Sequence, residues 1–170
     1  MLDTITASAY KQLVRGHLEE IVAVEGPIEA QRLARLLASR FGLQRVQAQR
    51  QETILGCLPK NRRSRTVLGT FYWPEGMTPD DYTGYRRTPA DGEKRRVTEI
   101  APQEIGNAVL DVLRCDGSSP AVDVMQALND VFGFNRTGRE IRERYEQVLD
   151  LMARDGRLVR QGEVLALPAA

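Results

Sequence analysis

Residues 157–167 read Arg157-Leu158-Val159-Arg160-Gln161-Gly162-Glu163-Val164-Leu165-Ala166-Leu167, a short β-hairpin with its turn at Gln161-Gly162. The stretch before it is helical in pattern. Arg154-Asp155-Gly156 ends a helix expected over 138–154, which carries Ile141, Tyr145, Val148, Leu149 and Met152 on one face and is opened by Asn135-Arg136-Thr137. A helix over 121–132 precedes it, with Val124, Leu128, Val131 and Phe132. A further helix over 103–115 carries Ile105, Val109, Val112 and Leu113, and Pro102 suits its first turn. Asp116-Gly117-Ser118-Ser119-Pro120 is the turn between those two. Three helices followed by a hairpin is the order of a winged helix, in which the second and third helices form a helix-turn-helix and the third usually enters a DNA groove.

The same order begins earlier in the chain. Phe41-Gly42-Leu43-Gln44-Arg45 recurs as Phe132-Gly133-Phe134-Asn135-Arg136 at an offset of 91. Helices are expected over 9–24, with Leu13, Leu18, Ile21 and Val22, and over 28–40, with Ile28, Leu33, Leu36 and Leu37. Glu25-Gly26-Pro27 separates them, because proline disfavours α geometry in the residue before it. Gly42 supplies a left-handed C-cap. A third, more polar helix is expected over 45–58, and residues 66–73, rich in β-formers, read as a strand. The expected fold is mainly α with small β-hairpins: two tandem winged-helix (helix-turn-helix) domains over 9–73 and 99–168, joined by an irregular Pro- and Gly-containing connector over 74–98.

Composition agrees with that size. A chain of 170 residues accommodates one domain or two small ones, and 42% apolar with 28% charged residues is an ordinary globular balance. No run of about 18 apolar residues is present, so no membrane partner is expected. The start lacks a basic region followed by an apolar core, which points to a cytoplasmic protein. Cys57 and Cys115 stand alone, which argues against a disulfide framework or a zinc ribbon. The net charge of +1 hides a blocked distribution: residues 40–65 sum to +6, residues 84–97 to +3 and residues 98–131 to −5. Such a basic block reads either as an anion-facing surface or as a solvated loop.

Several motifs together resemble a known family. They are Val24-Glu25-Gly26-Pro27-Ile28, Phe41-Gly42-Leu43-Gln44-Arg45, Phe71-Tyr72-Trp73-Pro74, Glu99-Ile100-Ala101-Pro102-Gln103-Glu104-Ile105 and Phe132-Gly133-Phe134-Asn135-Arg136-Thr137-Gly138. Over residues 11–168 the chain resembles an uncharacterised bacterial domain, commonly found at the C-terminal end of large superfamily-one helicase-like proteins and often beside a restriction-type nuclease domain. The resemblance implies a non-catalytic accessory module of DNA-processing or defence enzymes, with helicase or nuclease domains as partners in the same or another chain. It implies no particular binding residues. The chain begins with Met1 and has no helicase segment, which fits a stand-alone relative or an excised domain.

The residues themselves offer little for catalysis. His17 is the single histidine, in a helical stretch that favours a surface or interface role. A phosphate-cradling Gly-Lys-Ser/Thr is missing, and Asp80-Asp81 and Glu19-Glu20 each lack a third ligand at a convincing spacing. Glu93-Lys94 lies in a Gly/Pro-rich loop rather than on the strand a nuclease site needs. The expectation is no enzyme, no cofactor and no metal.

DNA is the expected partner. In the helix over 45–58, Gln47 and Gln51 fall on an exposed face edged by Arg45 and Arg50, side chains able to bond base edges or phosphate. Lys60, Arg62, Arg63 and Arg65 follow and can track a phosphate backbone. Tyr85 beside Arg86 and Arg87, with Tyr82 nearby, reads either as stacking on unpaired bases or as pinning the connector, whereas Phe71 and Trp73 read as core. The second copy offers Arg136, Thr137, Arg139 and Arg142, but Glu143, Glu146 and Asp150 would oppose phosphate, so ion pairing and helix capping are the favoured reading there. The alternative to DNA binding is a protein-interaction module built on degenerate winged helices, docking a partner or forming a homodimer.

Overall fold

The computed structural model describes residues 8–43, 46–89 and 92–169. The chain divides into two compact units, Met1–Tyr82 and Thr83–Ala170. Each is mainly helical and contains one small antiparallel sheet.

The first unit opens with α1 (Ser8–Glu25), whose Val14, Leu18, Ile21 and Val22 are buried at the three- and four-residue spacing of one helix face. The segment 28–40, expected as one helix, is divided into a two-residue strand β1 (Ile28–Glu29) and α2 (Ala30–Arg40). The cause is local. Glu29 is an extended N-cap whose carboxylate accepts from the Arg32 backbone N–H at 2.9 Å, and its backbone then pairs with a strand instead of continuing the helix. Helix α3 spans only Ala48–Leu55, not 45–58, with Gln47 as its extended N-cap. Beyond Gly56 the chain meets Pro59, which cannot donate to a further helical turn.

A 3-10 turn, Lys60–Arg62, leads into β2 (Arg63–Thr66) and β3 (Gly69–Tyr72). The strand expected over 66–73 is therefore the second arm of a hairpin. Its first arm is the basic stretch that reads as a loop, because Arg63-Ser64-Arg65-Thr66 has no apolar residue to announce a strand. The sheet order is β1-β3-β2, all antiparallel.

The second unit repeats this order: α4 (Pro102–Asp116), β4 (Ser119–Pro120), α5 (Ala121–Phe132), α6 (Arg139–Arg154), β5 (Val159–Gln161) and β6 (Val164–Ala166), with sheet order β4-β6-β5. Gln161 pairs with Val164, so the turn falls at Gly162-Glu163, one residue later than expected.

The offset of 91 seen at Phe-Gly extends through both cores. Val14 and Ile105, Leu18 and Val109, Val22 and Leu113, Leu33 and Val124, Leu37 and Leu128, Ile54 and Tyr145, and Leu58 and Leu149 correspond, and every one is buried. Gly42 and Gly133 correspond too, both left-handed at φ 71° and 76°, where a side chain would be strained. The correspondence at this offset ends after Leu58: α6 continues to Arg154, whereas the first unit turns at Pro59.

The described residues of 83–98 have little regular structure but are held to the second unit by polar bonds. Asn107 Nδ2 donates to the Gly84 carbonyl at 2.9 Å, and Thr88 Oγ1 donates to that of Phe132 at 2.8 Å. Glu104, fully buried on α4, accepts from both the Arg86 backbone N–H and the Arg95 guanidinium, the latter at 2.8 and 3.0 Å. These bonds satisfy backbone groups that no sheet or helix serves. In the first unit, Tyr82 lies edge-on to Trp73 with ring centroids 5.5 Å apart.

Candidate nucleic-acid interface

In the first unit α3 faces the β2–β3 hairpin. Ala48, Gln51, Glu52 and Leu55, at positions i, i+3, i+4 and i+7, form one face of the helix. Opposite them stand the cross-strand pairs Arg63–Tyr72 and Arg65–Thr70, which share one face of the hairpin. With Ala30 and Gln31 at the start of α2, these residues line an open groove of about 310 Å³.

Tyr72 forms the floor. Burial pushes its phenol pKa up, while a hydrogen bond from Arg63 and the charges of Arg63 and Arg65 pull it back. Among the described residues, ion pairs of the first unit include those of Arg15 with Glu19, Arg32 with Glu25 and Arg40 with Glu20. Among the described residues, none joins a carboxylate to Lys60, Arg63 or Arg65.

The residues expected to bind DNA are distributed unevenly. Gln47, at the α3 N-cap, Arg50 on α3 and Lys60 in the 3-10 turn are exposed. Gln51, Arg63 and Arg65 meet at the groove. Arg62 is engaged in the fold: its Nε donates to the Trp73 carbonyl at 2.8 Å, and its own carbonyl accepts from the Trp73 N–H at 2.8 Å. Arg45 lies outside the described residues. Arg86 pairs with buried Glu104 at 3.3 Å, and Arg87 is exposed. Arg136 is exposed, and Arg139 on α6 pairs with Glu143 at 2.7 Å.

The aromatic residues are similarly divided. Phe71, Tyr72 and Trp73 are all buried. Tyr85 is half-buried, and burial together with a hydrogen bond to Asp111 raises its pKa.

In the second unit, Arg160 stands opposite Leu165 as Arg63 stands opposite Tyr72. Its guanidinium contacts Glu146 at 2.7 Å and Asp150 at 3.6 Å, both on α6, and these carboxylates raise its pKa.

Other reactive side chains lie elsewhere. His17 meets the Phe41 ring edge-on at 5.4 Å and lies 3.6 Å from Glu20, whose pKa the Arg40 hydrogen bond lowers. Burial raises the Cys57 thiol pKa, which disfavours the reactive thiolate. Among the described residues, no group of three or more His, Cys, Asp or Glu is placed to hold a metal, and no helix is long and apolar enough to cross a membrane.

Residues 3–52 match the family described as "Protein of unknown function (DUF3320)". Over that stretch the chain is similar to an uncharacterised domain. The match covers α1, β1, α2 and the first turns of α3. No curated protein and no solved structure matches the chain.

Sequence reasoning missed Gln31, Glu52, Thr70 and Tyr72 as groove residues. The available signal was the left-handed turn glycine, Gly69, after Val67-Leu68, which makes residues 63–72 a hairpin and puts Arg63, Arg65, Thr70 and Tyr72 on one face.

Proposed function

We propose that the chain is a non-catalytic, cytoplasmic DNA-binding module made of two winged-helix units, with the contact surface on the first. The order helix, short strand, helix, helix and hairpin, with the short strand paired to the last, supports the winged-helix reading. The observation that carries the DNA reading is the set of cations beside α3 that, among the described residues, no carboxylate pairs: Lys60, Arg63 and Arg65, next to Gln47, Arg50 and Gln51. Cations not neutralised within the protein are those that can displace counterions from phosphate. By the resemblance described above, the module serves a helicase- or nuclease-type enzyme.

The second unit supports a different role. Its hairpin arginine is neutralised by α6, and Arg139 is paired with Glu143. This self-compensated surface suits protein docking better than phosphate contact.

The experiment is fluorescence anisotropy of the full chain against single-stranded, duplex and forked DNA from about 50 to 200 mM salt. Lys60→Glu/Arg63→Glu/Arg65→Glu is run beside it. Arg62 is left alone, since it holds Trp73. Salt-sensitive binding that the triple variant loses supports the reading. Failure of the wild-type chain to bind any of the three DNAs overturns it.

A further inference from the structure

We infer that the groove between α3 and the β2–β3 hairpin seats one unpaired nucleotide of a DNA strand, its phosphate on Arg63 and Arg65 and its base edge against Gln51 and Glu52. The inference rests on the DNA-binding reading and narrows it to a form of substrate.

Size is the first argument. The groove measures about 310 Å³, the scale of a site for a single small ligand. A duplex cannot enter it: a DNA groove receives a protein helix, whereas here two protein elements form the walls and the ligand must come between them. Only a nucleotide free of its complement presents a single phosphate, sugar and base.

Charge distribution is the second argument. The two arginines lie two residues apart on one face of β2, so both point toward the same side of the groove. Guanidinium groups suit phosphate, to which they bond in pairs. Glu52 stands on the other wall and repels phosphate, which confines the anion to the hairpin side and orients the ligand. Beside it, the Gln51 amide offers a donor and an acceptor, and the Glu52 carboxylate accepts from an exocyclic amine. These groups match a Watson–Crick edge, which is occupied in a duplex and open in a single strand. Tyr72 is only 3% exposed, so it forms the floor and does not stack on a base. Recognition therefore comes from charge and hydrogen bonds.

The test uses the full chain and three labelled probes: a short single strand, the blunt duplex made with its complement, and that duplex with a single-stranded overhang. Two variants alter the groove. Gln51→Ala keeps a good helix former and changes no charge. Thr70→Tyr keeps a good strand former and narrows the opening. Lys60→Glu alters the basic surface outside the groove lining, and all variants are checked for wild-type thermal unfolding.

The expected result is that single strand and overhang bind about tenfold more tightly than blunt duplex. Both groove variants should erase that preference, and millimolar deoxycytidine monophosphate should displace the single strand. If Thr70→Tyr fails to fold, Gln51→Ala carries the comparison. Blunt duplex binding as tightly as single strand, with the groove variants silent and Lys60→Glu weakening all probes, overturns the groove and leaves the DNA reading standing. Absence of binding to every probe overturns both.

Discussion

Arg63 and Arg160 occupy the same place in their respective hairpins, yet one faces an open groove and the other grips two carboxylates. The cause lies in the third helix. At the offset of 91, Glu146 and Asp150 of α6 correspond to Leu55 and Pro59. In the second unit the helix continues and carries acids alongside the hairpin. In the first, Leu55 turns into the core, Pro59 marks the end of any helical continuation, and the basic turn follows. One core pattern thus supports two opposite surfaces, and the switch is helix length. Core residues specify packing, while the charge presented beside the hairpin depends on where the neighbouring helix stops.

The largest effect should come from Glu104→Ala. It removes the buried carboxylate that pairs with the Arg95 guanidinium, itself 6% exposed, and breaking a buried ion pair from one side costs about 3–5 kcal/mol. Amide exchange in α4 should accelerate accordingly, while α1, its counterpart, provides the reference. Unchanged protection in α4 would mean that the 83–98 segment contributes nothing to the second unit.

Next, Leu37→Ala and Leu128→Ala test the core equivalence directly. Both side chains are fully buried at corresponding positions, so each truncation should cost about 2–5 kcal/mol in urea denaturation. A large loss in one and a negligible loss in the other would break the equivalence of the two cores.

A smaller effect should follow from Glu146→Gln/Asp150→Asn. The Arg160 pairs are partly exposed, so stability should fall by no more than about 1 kcal/mol. The freed arginine should make the second unit resemble the first, and the salt dependence of DNA binding should steepen by about one phosphate contact. An unchanged salt slope would mean that helix length is not what separates the two surfaces.

The smallest difference concerns alkaline pH. Burial raises the pKa of Tyr145 above its ordinary value of 10.0, so the folded state keeps the proton more tightly than the unfolded state. That contribution is complete below pH 10.0 and is lost as pH rises above it. Tyr72 shifts in the same direction but is opposed by Arg63 and Arg65, so the first unit should lose less. Tyrosine absorbance and amide exchange followed above pH 10.0 should show the second unit opening first. The reverse order would show that Arg63 and Arg65 do not act on Tyr72 as their positions suggest.

Legibility in the sequence follows the range of the interaction. The long helices show in single stretches because each buries one face, as Val14, Leu18, Ile21 and Val22 do in α1. The groove did not show in the same way. Its residues come from α2, α3, β2 and β3, and the polar strand Arg63–Thr66 carries no apolar alternation. The basic stretch was visible as charge, but its division into Arg62, bonded to Trp73, and Arg63 with Arg65, facing α3, depends on the hairpin register.

The helical stretches, the left-handed end at Gly42 and the repetition at 91 residues are legible in the sequence, although not every helix boundary is, because periodic burial and backbone freedom are local properties. That Ile28–Glu29 and Ser119–Pro120 are strands emerges from the folded chain, since a two-residue strand exists through the partner that supplies its hydrogen bonds. The fold also sets which arginines are neutralised. Arg95 meets Glu104, and Arg160 meets Glu146, while Arg63 faces an open groove, and the folded backbone sets those distances.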